Sequence, residues 1–384
     1  MSGPKPGWDV VRDAPIRHAA RPRVRPCRFE TRLSDVAQSH WHHYLAQMQQ
    51  RPFASDEKKT KIWSFDKQSG EYQEASIKDT AARDFYYIVK TEDGKTHDRL
   101  EQQFSRAESG AADAMQAIRK QGLGALKLSD EDRQWLLALV AISHTRVPVQ
   151  REFNEEIAVM LAKNALWSAL TSDDYAKRAR EAGMNGSEEE IQAFRDRTLR
   201  ALDEGTLEVT TGPYASLASM AEATVLLPWV LLSRRITVLR RTEPPFLLTS
   251  DNPVLLTGRD PAEPVGFATT GARIEIPLAP DTLLRLTDDK GDERIVEGAA
   301  DDFAEANRRI WKQAGYEVLA PSRKALEAVA FELGKDATRK QSGYVFGGWL
   351  PGLPVKKPKL EEAKLNEPTP AEAADFDALN KETK

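Results

Sequence analysis

The chain has 384 residues, of which 40% are hydrophobic and 30% are charged, and its formal net charge is −4 at pH 7. This composition supplies enough apolar side chains for a large core, and the near balance of charges excludes a nucleic-acid-binding polycation. The single cysteine, Cys27, excludes an internal disulfide framework and a cysteine-rich zinc site. It also makes the reducing cytoplasm the simplest location.

The two ends of the chain differ from the middle in composition. Residues 1–31 are rich in arginine and proline, and because no apolar stretch follows the basic residues, they do not form a secretory signal. We expect a flexible basic arm there, which is either solvated or in contact with a polyanion, and the solvated state is favoured. Residues 351–384 combine prolines with mixed charges, which predicts a disordered tail.

The first predicted elements are a hairpin and a long helix. Residues 61–66 and 72–77 have the composition of β-strands and are joined by turn-forming residues. Between residues 98 and 121, apolar side chains recur every three or four positions, which indicates an amphipathic helix. Gly122 is well placed to end this helix.

Two further helices are predicted on either side of a proline. Ser129 and Asp132 form a pattern typical of a helix N-terminus, and the apolar run behind them indicates a central helix. That helix must stop near Val147, because proline disfavours helical geometry in the residue before it. Pro148 suits the first position of a third helix. The buried face of this third helix is predicted to contain Phe153, Ile157, Met160 and Leu161.

Exposed helices, a core helix and strands are predicted next. Residues 172–204 are highly charged, which indicates helices on the surface. Residues 217–232 are strongly apolar, but the run is interrupted and is shorter than the ~20 residues that a membrane span needs, so we interpret it as a buried core helix. Short β-type runs with turn residues follow, with helices over residues 301–313 and 323–333.

This order of elements predicts an α+β protein. A helical N-terminal half, roughly residues 98–234, is expected to pack on a small, mostly antiparallel β-rich half, roughly residues 236–350, with C-terminal helices. Both halves are expected to belong to one folded domain over residues 32–350, between the arm and the tail.

Three histidines within four positions, His40, His42 and His43, mark the first candidate site. Imidazole is the usual acid or base near neutral pH and the commonest metal ligand. The alternative is an aromatic surface cluster without a ligand. Neither a cysteine pair nor a His-Glu-x-x-His spacing accompanies these residues, so no metal is predicted.

Arg146 is the second candidate, because it lies at the end of a helix whose other residues are apolar. A buried guanidinium needs an anionic partner. Arg146 could clamp the phosphate or carboxylate of a ligand, or it could form a structural ion pair with Glu108 or Asp251. Glu108 itself lies at the border of the apolar stripe of the first long helix. It could support the candidate site, or it could be an ordinary residue at the flank of that helix.

Asp251 and Asn252 lie between two short apolar strands. They could form a turn in which their side chains bind local backbone donors. Alternatively, Asp251 could project into a pocket as an acid or base, a metal ligand or a partner of Arg146. We predict that Asp251, Arg146 and one of the histidines meet in a pocket between the two halves.

The order of several short motifs resembles the domain-of-unknown-function family 4238, over about residues 42–322. The motifs include His42-His43-Tyr44, Arg51-x-Phe53, Arg146-x-Pro148 and Ser250-Asp251-Asn252-Pro253. The resemblance implies a bacterial-type intracellular protein without an established activity. It favours a shared site for the two histidines, Arg146 and Asp251, with Arg51 as a second anion-binding residue and Asn252 in support.

Two functions of different classes compete. The first is a hydrolase-like enzyme acting on a phosphodiester or another anionic substrate, with His42 or His43 as acid or base. In that enzyme Arg146 would bind the anion and Asp251 would be the orienting carboxylate. The second is a non-catalytic binding or defence-system protein whose polar residues form a structural network. Nucleic-acid binding without catalysis is a weaker third hypothesis. The expected partner is an anionic small molecule or a nucleic acid and not a membrane, and the residues indicate no particular cofactor.

Overall fold

The computed structural model describes residues 41–90, 96–97, 99–210, 213–260 and 265–334. The predicted arm (1–31) and tail (351–384) lie outside the described residues. In chain order, the helices of the described part are α1 (Gln47–Gln50), α2 (Arg99–Arg119), α3 (Asp130–Thr145), α4 (Pro148–Thr171), α5 (Tyr175–Glu181), α6 (Glu188–Asp203), α7 (Pro213–Leu231), α8 (Ala300–Gln313) and α9 (Arg323–Leu333). The strands are β1 (Trp41–His43), β2 (Lys61–Asp66), β3 (Tyr72–Ser76), β4 (Ala82–Asp84), β5 (Val89–Lys90), β6 (Thr96–His97), β7 (Gly124–Ala125), β8 (Arg235–Arg240), β9 (Thr249–Ser250), β10 (Leu255–Thr257), β11 (Arg273–Ala279), β12 (Thr282–Thr287), β13 (Arg294–Glu297) and β14 (Glu317–Ala320).

A four-stranded antiparallel sheet has the order β3-β2-β14-β9. Its first two strands are the predicted hairpin, which is confirmed. The strand β14 comes from the C-terminal part of the chain and pairs with β2, with Val318 opposite Phe65. The sheet therefore joins the beginning and the end of the described chain.

A six-stranded sheet has the order β10-β11-β12-β8-β13-β7, and its strands are antiparallel except for β13 beside β8. Successive side chains of β8 point to opposite faces of this sheet, and each face is covered by a different hydrophobic core. Ile236 and Val238 belong to a core with α2 and α3, whereas Leu239 belongs to a second core that includes α8. The fold is α+β with mostly antiparallel strands, as predicted.

The helices α2 and α3 pack closely, and the local signals for the starts of α3 and α4 are confirmed. Gly122 does not act as the predicted helix end, because α2 ends at Arg119 and Gly122 lacks the positive φ of a glycine cap. Ser129 accepts a hydrogen bond from the backbone N–H of Asp132 at the start of α3, and Pro148 is the first residue of α4. In the contact between α2 and α3, a Cβ added to Gly110 would lie 2.4 Å from the ring of Trp135. This position therefore needs a glycine.

Two predictions about burial are wrong. On α4, Leu161 is 56% exposed, and the other three residues of the predicted buried face, Phe153, Ile157 and Met160, are only half-buried. On α7, which the sequence indicated as a buried helix, Val225, Leu226 and Trp229 are each more than half exposed. The helix packs on α3 and α4 and buries Leu217, Met220 and Leu231. Within the described ranges, the helices all fall short of the length and apolar character that a membrane crossing requires.

Candidate functional site

The strand β1 directs the two candidate histidines to opposite sides, since successive residues of a strand alternate. His42 is fully buried. Its Nδ1 accepts a hydrogen bond of 3.0 Å from the backbone N–H of Tyr87, and its ring stacks on the Tyr87 ring with 5.4 Å between centroids. Because Nδ1 is an acceptor, the neutral ring carries its proton on Nε2. His42 thus packs inside the fold, whereas His43 is half-buried.

His43 lies at the open side of a polar cluster. Its Nε2 donates to the carbonyl oxygen of Lys78 at 3.0 Å and lies 3.4 Å from Nε2 of Gln47. Gln47 also accepts a hydrogen bond of 3.1 Å from the exposed Arg51. Burial lowers the pKa of His43, and the charge of Arg146 acts in the same direction. Both effects favour the neutral form of the imidazole.

Arg146 is buried, with 1% of its surface exposed. It donates to Oε1 of Glu108 at 2.5 Å and to Oε1 of Gln49 at 3.2 Å, and its guanidinium lies 5.8 Å from the centre of the Phe104 ring. Gln49 in turn donates to Oγ of Ser143 at 2.8 Å. The ion pair with Glu108, one of the two alternatives, is present. We call His43, Gln49, Glu108, Ser143 and Arg146 the Arg146 cluster.

Asp251 is fully buried and binds the backbone after α8. Its Oδ1 accepts a hydrogen bond of 3.0 Å from the N–H of Gly315, and its Oδ2 accepts one of 2.7 Å from the N–H of Tyr316. Burial, followed by the Glu317 carboxylate, raises the pKa of Asp251 to about 7. In place of the expected pairing with Arg146, each oxygen of Asp251 accepts a hydrogen bond from a backbone N–H of this loop.

Two further side chains fasten the same end of α8. Lys67 is 1% exposed, and its Nζ donates to the carbonyl oxygens of Trp311 at 2.8 Å and of Ala314 at 2.9 Å. The last carbonyls of a helix lack partners within the helix, and Lys67 satisfies that of Trp311 in the last turn and that of Ala314, which directly follows the helix. Asn252 donates to the carbonyl oxygen of Gln313 at 3.1 Å. We call Lys67, Asp251, Asn252 and Glu317 the Asp251 cluster.

Tyr44 links the two clusters through the chain, because it follows His43 directly. Its hydroxyl donates to Oε1 of Glu317 at 3.0 Å. In the described residues, no hydrogen bond or ion pair joins Arg146 to Asp251. The structure thus pairs Arg146 with Glu108, and the charges of both act on His43, whereas Asp251 belongs to a second cluster.

Four residues of these clusters were not predicted as site residues, namely Tyr44, which was noted only as part of a motif, Gln49, Lys67 and Glu317. Glutamine carries no charge that would have marked Gln49 as a partner of an arginine. A lysine directly after a strand is usually exposed, so nothing marked Lys67 as buried. Of the candidates, Arg51 lies on the surface and reaches His43 only through Gln47. Across the described ranges, no group of three or more His, Cys, Asp and Glu could hold a metal ion.

The family comparison covers most of the folded part. Residues 41–324 match the family model of a protein of unknown function, DUF4238. No curated protein and no solved structure matches the chain. The match contains both clusters.

Proposed function

The chain belongs to the DUF4238 family, and we propose that this member is a non-catalytic binding protein whose buried polar residues form a structural network. One observation carries the proposal. Arg146 and Asp251, which an enzyme of the predicted type would use together, are both buried and are bound by different partners within the fold. A catalytic group must come within hydrogen-bonding reach of its substrate. A cytoplasmic location is part of the proposal, supported by the single cysteine.

A structural network and an active site respond differently to neutralisation of a charge. Removing one partner of a buried ion pair leaves the other charge uncompensated, which typically costs about 3–5 kcal/mol. Active-site residues are often held at the expense of stability, so that their replacement is neutral or stabilising. The change in stability therefore distinguishes the two roles.

The test is the substitution Glu108→Gln. It leaves the buried Arg146 guanidinium without its carboxylate, so we expect the free energy of unfolding to fall by about 3 kcal/mol in urea denaturation. The matched control is Glu327→Gln, which breaks an exposed pair with Arg323 and should change stability by at most about 1 kcal/mol. A Glu108→Gln protein as stable as the wild type, or more stable, would contradict the proposal.

A hydrolase is the second candidate, and the open side of the Arg146 cluster favours it. There the half-buried His43 and the exposed Arg51 are joined by Gln47. A neutral imidazole is a suitable general base at pH 7, and the Arg51 guanidinium would bind the anionic group of a substrate. In this version of the hydrolase hypothesis, His42 and Asp251 stabilise the fold and take no part in catalysis.

Hydrolysis of bis(4-nitrophenyl) phosphate decides between the two candidates at this position. The wild-type protein is compared with His43→Asn, which keeps a hydrogen-bond donor near the Lys78 carbonyl. Wild-type hydrolysis that is lost in His43→Asn would establish the enzyme and overturn the binding proposal. Equal background rates in both proteins are the result expected for a non-catalytic protein.

A further inference from the structure

A cavity of about 290 Å³ lies outside both clusters, between the end of α3, the start of α4 and α7. None of the residues that line it carries a charge. Those that decide its chemistry are His144, Gln150, Asn154, Ser219, Leu227 and Phe267. The volume lies just below the usual range for ligand pockets, about 300–1,000 Å³, so the cavity suits a single small ring system.

His144 and Phe267 form an aromatic corner in this cavity. Their ring centroids are 4.7 Å apart and the rings are inclined at 69°, so a flat molecule that stacks on one ring meets the edge of the other. Burial lowers the pKa of His144 to about 4, which keeps the ring neutral. No group in the described residues hydrogen-bonds the His144 imidazole, and its donor and acceptor nitrogens have capacity for a ligand.

Two side-chain amides lie one helical turn apart on α4. Nε2 of Gln150 donates to Oδ1 of Asn154 at 3.1 Å. The amide groups keep the Gln150 oxygen as an acceptor and the Asn154 nitrogen as a donor for another molecule. A nucleobase carries both donors and acceptors on its edges, so it can bond to either of these remaining amide groups.

The absence of charged residues from the lining favours an uncharged ligand. Because no charged side chain lines the cavity, a charged molecule would find no counter-charge there. Leu227 supplies an apolar surface, and stacked bases are commonly bound between aromatic and apolar side chains. We propose that this cavity binds an uncharged nitrogen heterocycle of the nucleobase type, stacked at His144 and Phe267 and hydrogen-bonded by Gln150 and Asn154.

This inference rests on the proposed function, since it names the ligand class of the binding protein. The two can nevertheless fail separately, because none of the cavity residues belongs to the Arg146 or Asp251 cluster. Hydrolysis that depends on His43 would overturn the binding proposal and leave the cavity untouched. Failure of the heterocycle to bind would leave the Glu108→Gln result untouched.

The experiment is calorimetric titration of the full chain with adenine, uracil, adenosine and uridine. We expect at least one of these four compounds to bind with a Kd below about 1 mM and to raise the melting temperature, as any ligand specific for the folded state does. Asn154→Leu removes the amide and should weaken binding at least tenfold. Asn164→Leu, the same change on α4 outside the cavity, should bind as the wild type does.

A second variant keeps the test decisive if Asn154→Leu fails to fold. Leu227→Trp fills the cavity and should abolish binding while circular dichroism shows a folded protein. Absence of binding by all four compounds, or unchanged binding by folded Asn154→Leu or Leu227→Trp, would overturn the inference. Binding of adenosine monophosphate without binding of adenosine would also overturn it, because the recognised group would then be the phosphate.

Discussion

Two buried charges of opposite sign hold the loop after α8. Lys67 donates to carbonyl oxygens at the helix end, whereas Asp251 accepts from the N–H groups of the next residues. Because a buried charge is costly, burial shifts the pKa of each group toward its neutral form, to about 8 for Lys67 and about 7 for Asp251. At the scale of residues, stability should therefore depend on pH.

The substitution Asp251→Asn tests this dependence. An unfolded aspartate ionises near pH ~3.9, whereas Asp251 in the folded protein ionises at about 7, so the folded state binds more protons between these values. The contribution of Asp251 to the free energy of unfolding therefore decreases as the pH rises through this window. We expect the wild-type value minus the Asp251→Asn value to fall between about pH 4 and pH 7 in urea denaturation. A difference that stays constant with pH would argue against the raised pKa.

The contacts of Arg146 and Asp251 differ in how far the sequence predicts them. Glu108 was one of two acidic residues considered for Arg146, because a buried guanidinium needs an opposite charge. The partners of Asp251 are backbone N–H groups of Gly315 and Tyr316. Every residue other than proline has such a group, so no residue type could mark these two positions.

At the scale of elements, local signals predict where helices start, and packing decides which faces are buried. Ser129 and Pro148 act on their own turns, so the starts of α3 and α4 were predicted correctly. The exposure of Leu161 depends on which helices lie beside α4. That information is absent from the spacing of apolar residues along α4 itself.

The contact between α2 and α3 gives an element-scale prediction. In a free helix, Gly→Ala is stabilising by about 0.5–1 kcal/mol. At Gly110, however, the added Cβ would lie 2.4 Å from the Trp135 ring, and such overpacking costs about 1–3 kcal/mol. We expect Gly110→Ala to lower the midpoint of urea unfolding. Gly122→Ala, where nothing lies within 4 Å of the new Cβ, is the control and should leave it nearly unchanged.

A second pair of variants tests which helix faces are buried. Leu139 on α3 is 0% exposed and Leu161 on α4 is 56% exposed. Leu139→Ala should lower the free energy of unfolding by about 2–5 kcal/mol, whereas Leu161→Ala should change it by less than about 0.5 kcal/mol. If the two substitutions lowered stability equally in thermal or urea denaturation, the buried position of Leu139 or the exposed position of Leu161 would be wrong.

At the scale of the whole molecule, α2 and α3 contribute side chains to both hydrophobic cores, and Trp135 packs against both. The α+β class followed from the order of helix-like and strand-like segments. The order of strands in the sheets did not, because β2 pairs with β14 from the other end of the described chain. A pairing of that kind requires complementary edges in the folded state, and it has no signature in either segment alone.

The position of β14 has a consequence for biosynthesis. The β2–β3 hairpin leaves the ribosome early, but one edge of β2 stays unpaired until Glu317–Ala320 has been made. At about 5–20 residues per second, that interval lasts on the order of 10–50 s. An open strand edge is a template for pairing with other chains. The nascent protein therefore has to shield this edge, or have it shielded by a chaperone, for most of the time that its own translation takes.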